Sequence, residues 1–272
     1  MYIYLITFTE FSRGILQMTI RRFLERKANE VRDVTIKVNY NPYAEGSCLV
    51  KFGHTHIICT ASVDESVPPF LRGKGKGWIT AEYGMIPRST HSRMRREASS
   101  RQQNGRTQEI QRLIGRSLRS VVDLKKLGER QIIIDCDVLQ ADGGTRTAAI
   151  TGGYVALVTA INHLIASKKI KNNPIINQIA AISCGILNDQ ALVDLDYAED
   201  SRAEVDANFV MTIDGKLVEL QSTAEGAPFT REQFSDMLDL SSQAIEKLIV
   251  LQSNAIENYA QNSSKKSTDA VS

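Results

Sequence analysis

The sequence predicts an α+β fold made of two halves of similar plan. Segments with the period of a strand come first, and a helix, a strand, a second helix, a further β-rich stretch and a last helix follow. The 272 residues are 42% hydrophobic and 24% charged, which is ordinary for a soluble globular protein with a sizeable core. No run of eighteen apolar residues occurs, so we expect no membrane-spanning segment and no membrane partner.

Strands dominate the start of the first half. Residues 34–40 alternate between apolar and polar side chains, as in a half-buried strand. Residues 47–52 and 56–63 form a second strand pair, and residues 78–85 are a further candidate. The loop at residues 68–77 is rich in glycine and lysine and could bind a phosphate, but its spacing matches neither the Walker nor the dinucleotide-binding fingerprint.

Two histidines, His54 and His56, lie two positions apart in this region and therefore share one face of an extended strand. We interpret them as strand residues rather than metal ligands.

A strand, a glycine turn and an apolar helix form the most distinctive segment, residues 135–149. A helix is predicted over residues 107–127, with Gly128 as its C-cap, and a strand over residues 131–138 leads into an apolar helix over residues 147–165. The turn between them contains Gly143 and the run Gly144, Thr145 and Arg146. Glycines allow close backbone approach, amides at a helix start point outward, and an arginine adds a positive fork. The segment therefore predicts an anion site, with phosphate the favoured anion.

The second half is predicted to contain two hairpins and a helix. Its strands cover residues 179–187, 191–197, 205–213 and 217–222, with turns at Asn188-Asp189 and Asp214-Gly215. Thr230 and Gln233 form a capping box for a last helix that extends to about Leu251. The polar residues 253–272 are expected to be disordered.

The net charge of +2 conceals a separation of charge along the chain. Residues 72–119 contain twelve Lys and Arg against three Glu, whereas residues 189–239 contain thirteen Asp and Glu against three Lys and Arg. The two belts suggest a polyanionic partner together with a metal or acid site, or self-assembly, while two solvated faces are the simpler alternative. Residues 87–105 are arginine-rich and lack an apolar period, so we expect a mobile surface segment there.

All four cysteines lie in apolar, strand-like runs and none belongs to a Cys-x-x-Cys pair. Buried free thiols in a reducing cytoplasm are expected rather than disulfides or structural zinc. These residues are Cys48, Cys59, Cys136 and Cys184.

Two carboxylates stand out in the acidic belt. Asp206 is flanked by the apolar Val205 and Ala207, and Asp200 precedes it by six positions. Carboxylates in apolar settings are costly unless they are paired or metal-bound. Asp200 and Asp206 could hold one Mg²⁺, or one could act as a general acid beside the other; a turn of solvated acids is the alternative.

Four ordered blocks of sequence resemble RNase PH, a bacterial-type phosphorolytic 3′ exoribonuclease family. The blocks are residues 77–88, 105–116, 136–149 and 199–208, and the resemblance runs from about Val34 to Gln252. It implies the RNase PH fold, with two βαβα-like halves akin to domain 2 of ribosomal protein S5, assembled as a hexameric ring of three dimers. Residues 18–252 would then form the catalytic domain, and residues 1–17 would be a doubtful extension, with Met18 as an alternative start.

The resemblance also implies a reaction and roles for individual residues. Inorganic phosphate would attack the last phosphodiester of RNA and release a nucleoside 5′-diphosphate, and the reverse reaction would add nucleotides. Implied substrates are tRNA precursors with nucleotides beyond the CCA end, and ribosomal RNA 3′ ends. Residues implied to hold phosphate are Arg106, Gly144, Thr145 and Arg146. Residues implied to grip RNA are Arg88, Arg93 and Arg96.

Asp200 and Asp206 match the acidic pair of that family. One would protonate the leaving 3′ oxygen, or both would bind Mg²⁺. Two other functions stay open at this point. The chain could be an inactive RNA-binding subunit of a ring, or a metal-dependent hydrolase that uses the acid cluster.

Overall fold

The protein is an α+β structure, as predicted, with two antiparallel-rich sheets packed around one long helix. The computed structural model describes residues 26–99 and 103–269, so the predicted extension at residues 1–17 lies outside the described part. The strands are β1 (Val34–Val38), β2 (Gly46–Phe52), β3 (Thr55–Asp64), β4 (Trp78–Met85), β5 (Gln131–Gln140), β6 (Ile179–Leu187), β7 (Gln190–Val193), β8 (Val205–Thr212) and β9 (Leu217–Ala224). The helices are α1 (Gly105–Arg119), α2 (Leu124–Leu127), α3 (Thr145–Ala166), α4 (Tyr197–Asp200) and α5 (Arg231–Asp269).

Each half of the chain supplies one sheet. The first sheet has the strand order β1-β2-β3-β5-β4, in which only β4 and β5 run parallel. The second sheet has the order β7-β6-β8-β9 and is antiparallel throughout. The hairpin between β8 and β9 turns at Gly215, whose φ of 75° is left-handed, as the Asp214-Gly215 pair predicted.

Helix α3 lies at the centre and contacts β2, β3 and β5 of the first sheet and β6 of the second. Its residues are apolar on every face, so nearly the whole helix is buried, as expected for a helix covered on most sides. By length and composition α3 could cross a membrane, but most of it is enclosed by the rest of the protein. This is the pattern of a core helix.

Helix α1 lies on the first sheet and presents the predicted apolar stripe to β4 and α3. The prediction of one helix over residues 107–127 was wrong. Helix α1 ends at Arg119, and a separate short helix, α2, begins at Leu124. Val122 forms a β-bridge with Ile175, and the backbone N–H of Asp123 donates to Pro174 O. Asp123 then caps α2, which ends at the predicted Gly128.

The strand predicted at residues 191–197 is shorter than expected. Strand β7 ends at Val193 because Asp194 adopts a left-handed φ of 56° and its carboxylate is captured by buried arginines. Tyr197 is therefore not a strand residue but the first residue of α4.

The last helix is longer than predicted. Thr230 and Gln233 form the expected capping box, but α5 continues beyond Leu251 to Asp269, so residues 253–269 are helical rather than disordered. The side-chain amide of Gln252 is buried and donates to Thr151 O and Ile179 O, and Ile256 packs on the core. These contacts extend the helix past the end of its apolar stripe.

The described part of the arginine-rich segment is hydrogen-bonded to the rest of the fold, and residues 100–102 of the predicted stretch lie outside the described residues. Met94 N–H donates to Pro87 O, and Ala141 N–H donates to Ser89 O, which ties the segment to the end of β5. A short 3₁₀ helix follows at Glu97–Ser99, and Thr107 Oγ1 donates to Glu97 Oε1 at 2.8 Å. All four cysteines are buried free thiols, as predicted.

Candidate active site

An open pocket of about 1070 Å³ lies where the two sheets meet at the start of α3. Its walls come from the turn between β5 and α3, the segment after β4, the first turn of α1, helix α4 and the start of β8. The pocket thus joins elements that are far apart in sequence. Seven of the predicted site residues line it. Two of them, Gly144 and Thr145, belong to the turn, and the charged members are Arg88, Arg106, Arg146, Asp200 and Asp206.

The glycine turn forms the floor of the pocket. Gly143 and Gly144 have left-handed φ values of 74° and 66°, and Gly144 is the N-cap residue of the 22-residue helix α3. A Cβ atom on Gly143 would lie only 2.5 Å from Leu195 O. Glycine is therefore required at this position for both conformation and space. The free amides at the start of α3 make this floor suitable for an anion.

Two buried side chains that sequence reasoning missed hold the turn from below. Thr55 Oγ1 donates to Gly143 O at 2.7 Å and accepts from Asp142 N–H at 2.9 Å. Arg32 donates to Asp142 O and, at 3.4 Å, to Gly143 O. Because the turn carbonyls are bound underneath, the amides on the opposite side stay available to a ligand.

Arg32 is fixed in turn by Asp194. Its guanidinium lies 2.7 Å from Asp194 Oδ1, and both side chains are almost fully buried. Burial alone would raise the pKa of Asp194, but the charge and hydrogen bonds of Arg32 outweigh it and hold that pKa below its ordinary value. In the sequence, the only sign of this pair is that Asp194 directly follows an apolar strand. No local sequence pattern distinguishes Arg32.

Arg146 and Arg106 approach the turn from two different helices. Arg146 lies in the first turn of α3 and donates to Glu109 Oε1 at 3.2 Å and to Gln221 Oε1 at 2.7 Å. Arg106 lies in the first turn of α1, where its backbone N–H donates to Asn104 Oδ1. Within the described residues the Arg106 guanidinium has no hydrogen-bond or ion-pair partner. The structure therefore places one braced and one uncommitted cation at the same pocket.

Thr145 is braced by a tyrosine of the first sheet. Tyr83 Oη donates to Thr145 Oγ1 at 2.8 Å, and both residues are buried. Burial raises the pKa of Tyr83, so the phenol stays protonated and remains a donor. Tyr83 is a further site residue that the sequence did not reveal.

The two carboxylates line the same pocket as the glycine turn. Asp200 is the last residue of α4, and Asp206 is the second residue of β8. Loss of water raises the pKa of both groups above the ordinary value, and the negative charge of Asp200 raises the pKa of Asp206 further. The positive charges of Arg106 and Arg146 oppose these shifts. The four charged groups therefore interact electrostatically.

Helix α4 is short, and a buried charge cluster fixes its position. Asp196 and Glu199 form a capping box, and Arg26 lies within 3.7 Å of Asp194, Asp196 and Glu199. This cluster determines where Asp200 points relative to the glycine turn. Asp142, which had no predicted role, accepts from Tyr197 N–H at 3.2 Å and links the turn to α4.

The three predicted RNA-gripping arginines are distributed unequally. Arg88 lines the pocket, whereas Arg93 and Arg96 are exposed on the same segment outside the pocket wall. Asp135 and Asp137 lie on strand β5 and do not line the pocket.

The two histidines do not share a strand face as predicted, because His54 lies in the turn between β2 and β3 and only His56 lies on β3. His54 lines the pocket, and His56 interacts with Gly53 O. In the part of the chain that the structure describes, no three His, Cys, Asp or Glu side chains converge to hold a metal ion.

Two family models match the chain. The model described as 3′ exoribonuclease family, domain 1, covers residues 30–161, and the model for domain 2 of the same family covers residues 177–244. Together they span both sheets and all the pocket elements.

Solved structures with the same architecture include rice (Oryza sativa) Rrp46, which is 18% identical with a TM-score of 0.70 over 86% of this chain and 100% of that chain. The Archaeoglobus fulgidus exosome with RNA bound to the active site matches at 21% identity and a TM-score of 0.70, over 84% of this chain and 91% of that chain. An archaeal exosome core matches at 22% identity and a TM-score of 0.68, over 86% and 91% respectively. The chain therefore has the two-domain fold of these proteins, as the two predicted halves indicated.

Proposed function

Because the chain belongs to the RNase PH family of 3′ exoribonucleases, we propose that it is an active phosphorolytic enzyme. It would remove the 3′-terminal nucleotide of RNA by attack of inorganic phosphate and release a nucleoside 5′-diphosphate. The observation that supports this most is the composition of one pocket. The glycine turn, Arg106 and Arg146 line the same cavity as Asp200 and Asp206, although these residues are far apart in the sequence.

Arg106 and Arg146 would reduce the electrostatic repulsion between the two anionic reactants. Phosphate is an anion that must approach an anionic phosphodiester, and the repulsion is reduced only where positive charge is fixed in advance. Arg106 can bind the phosphate without giving up another partner, whereas Arg146 is held in place by Glu109 and Gln221. The amides at the start of α3 add neutral donors. In this arrangement a phosphate oxygen attacks the scissile phosphorus from the turn side.

The carboxylates are placed to serve the leaving group. The bond from phosphorus to the 3′ oxygen of the preceding nucleotide breaks, and that oxygen must take up a proton or be stabilised as an anion. A raised pKa at Asp206 favours a protonated carboxyl that can donate to it. The proton returns from solvent after each turnover.

The same two carboxylates also suit Mg²⁺. This ion is held in proteins by one or two carboxylates, with water and substrate phosphates as its other ligands. Asp200 and Asp206 would hold it, and it would stabilise the negative charge on the 3′ oxygen. The residues present fit this role, since no larger cage of protein ligands is needed.

We further propose a substrate and a setting. The substrates would be tRNA precursors with nucleotides beyond the CCA end, and ribosomal RNA 3′ ends, as in bacterial-type RNase PH. The likeness to exosome cores supports a ring assembly, which we propose to be a homohexamer of three dimers. The buried free thiols support a cytoplasmic location.

A single assay tests the proposal. A tRNA that carries a few nucleotides beyond CCA is incubated with the protein and Mg²⁺, with and without inorganic phosphate, and released nucleotides are separated by chromatography. We expect nucleoside diphosphates that appear only with phosphate, and nucleotide addition when diphosphates are supplied instead. The double variant Arg106→Ala/Arg146→Ala serves as the negative control. Monophosphates released without phosphate would indicate a metal-dependent hydrolase, and RNA binding without turnover would indicate an inactive ring subunit.

A further inference from the structure

One aromatic side chain of the pocket wall has no role in the chemistry proposed above. Tyr197 lines the pocket, and 61% of the residue is exposed. Its hydroxyl forms no hydrogen bond and its ring has no aromatic or cationic partner within the described residues. A large ring left uncovered at the wall of a ligand pocket is a surface for an apolar or aromatic ligand.

The backbone of Tyr197 is held in place from both directions. Its N–H donates to Asp142 Oδ1 at 3.2 Å, and the preceding residue, Asp196, caps helix α4. The first contact ties it to the glycine turn, and the helix ties it to Asp200 three positions later. The backbone that carries the ring is therefore held beside the phosphate turn rather than in a free loop.

We propose that the ring of Tyr197 stacks on the base of the 3′-terminal nucleotide of RNA. This inference rests on the proposed function. After attack, the incoming phosphorus and the scissile phosphorus both belong to the released diphosphate, so the base nearest the phosphate turn is the terminal one. Tyr197 is the exposed aromatic residue that is joined to that turn.

Stacking also suits a processive trimming reaction. Every base has a π-face, so stacking on an aromatic ring holds successive nucleotides with little dependence on sequence. Hydrogen bonds to base edges would instead favour one nucleotide. Tyr197 would thus position each new terminal nucleotide with its 5′ phosphate above the turn, and it would tolerate any base.

The test compares Tyr197→Ala, Tyr197→Phe and the control Tyr43→Ala, since Tyr43 is 95% exposed and lies outside the pocket. Each protein is given two RNA oligonucleotides that differ only in the last nucleotide, which is either ordinary or abasic. Phosphorolysis rates and equilibrium affinities are measured for both. We expect Tyr197→Ala to lower kcat/KM and affinity for the ordinary RNA by roughly tenfold or more. Tyr197→Phe and Tyr43→Ala should match the wild type.

The abasic RNA separates stacking from a structural role. Wild type and Tyr197→Ala should then react and bind equally, because the partner of the ring is missing. An equal loss on both RNAs, or no loss on either, would overturn the inference. If no protein releases diphosphate but affinity still follows the expected pattern, the stacking stands and the proposed function falls.

Discussion

The guanidinium of Arg32 lies 2.7 Å from the carboxylate of Asp194, and the same guanidinium holds the carbonyls of the glycine turn. One buried ion pair thus supports the glycine turn at the floor of the pocket. Breaking a buried ion pair by removal of one partner typically costs about 3–5 kcal/mol. We therefore expect Arg32→Ala and Asp194→Asn to lower the free energy of unfolding by that order, as measured by urea denaturation.

A surface pair in the same protein provides the control. Arg130 Nε lies 2.8 Å from Glu65 Oε2, but half of the Glu65 side chain is exposed, so Arg130→Ala should cost less than about 1 kcal/mol. The pH dependence gives a second check. Because the folded-state pKa of Asp194 is lowered, its contribution is present above the unfolded pKa of about 3.9 and is lost as the pH falls below it. An Arg32→Ala protein as stable as the wild type would contradict the role of this pair.

Activity should depend steeply on the two pocket cations. We expect Arg106→Ala and Arg146→Ala each to reduce phosphorolysis well over tenfold, because loss of a charge-assisted contact in such a site costs roughly 2–4 kcal/mol. The KM for inorganic phosphate is the most direct measurement. Arg112→Ala is the matched control, since Arg112 is exposed on the same helix as Arg106 and lies outside the pocket. A similar loss in all three variants would mean a general electrostatic effect rather than a phosphate site.

The sequence predicted the strands and the core helix well because their apolar periods are local properties. Its failures occurred where distant partners decide the outcome. The capture of Asp194 by Arg26 and Arg32 ends β7 early and starts α4, and the bridge between Val122 and Ile175 divides the predicted helix. The motif residues of the pocket were found through the resemblance, but the supports beneath them were not.

Asp206 should contribute to activity at the expense of stability. Its pKa in the folded protein is raised by loss of water and by Asp200, so folding favours the protonated carboxyl. Its favourable contribution is therefore complete below the unfolded pKa and is lost as the pH rises through the folded pKa. We expect Asp206→Asn to be inactive yet at least as stable as the wild type at pH 7. Any gain in stability over the wild type should be smaller at pH 4. Thermal unfolding at both pH values, together with the phosphorolysis assay, measures this.

The pH–rate profile distinguishes the two proposed roles of the acidic pair. If Asp206 donates a proton, kcat should fall as the pH rises through its raised pKa, and removal of Mg²⁺ should leave that limb in place. If the pair binds Mg²⁺, chelation should abolish activity, and the rate should rise with pH as the carboxylates ionise. A profile that is flat between pH 4 and 8 would exclude proton donation by this group.

RNA affinity should fall steeply with salt. Arg88, Arg93 and Arg96 are exposed on one segment, and each phosphate contact to single-stranded RNA contributes about 0.7 to the slope of log affinity against log salt. The double variant Arg93→Ala/Arg96→Ala should therefore reduce that slope by about 1.4 and weaken binding for all sequences alike. Lys125→Ala/Lys126→Ala, on the distant helix α2, should leave the slope unchanged. An unchanged slope in the arginine variant would assign this segment to a subunit interface instead.

Substitution of two glycines can separate the free-energy cost of a left-handed backbone from the cost of a steric clash at Cβ. Gly73 and Gly143 have the same left-handed φ of 74°, but a Cβ on Gly73 would meet nothing within 4 Å, whereas one on Gly143 would lie 2.5 Å from Leu195 O. Gly73→Ala should therefore cost only the backbone strain, about 1–2 kcal/mol. Gly143→Ala must also displace the backbone at Leu195, so it should cost clearly more and should reduce activity, because Leu195 precedes the residue that caps α4. Urea denaturation of both variants measures the difference, and equal losses would mean that the Leu195 backbone moves aside freely.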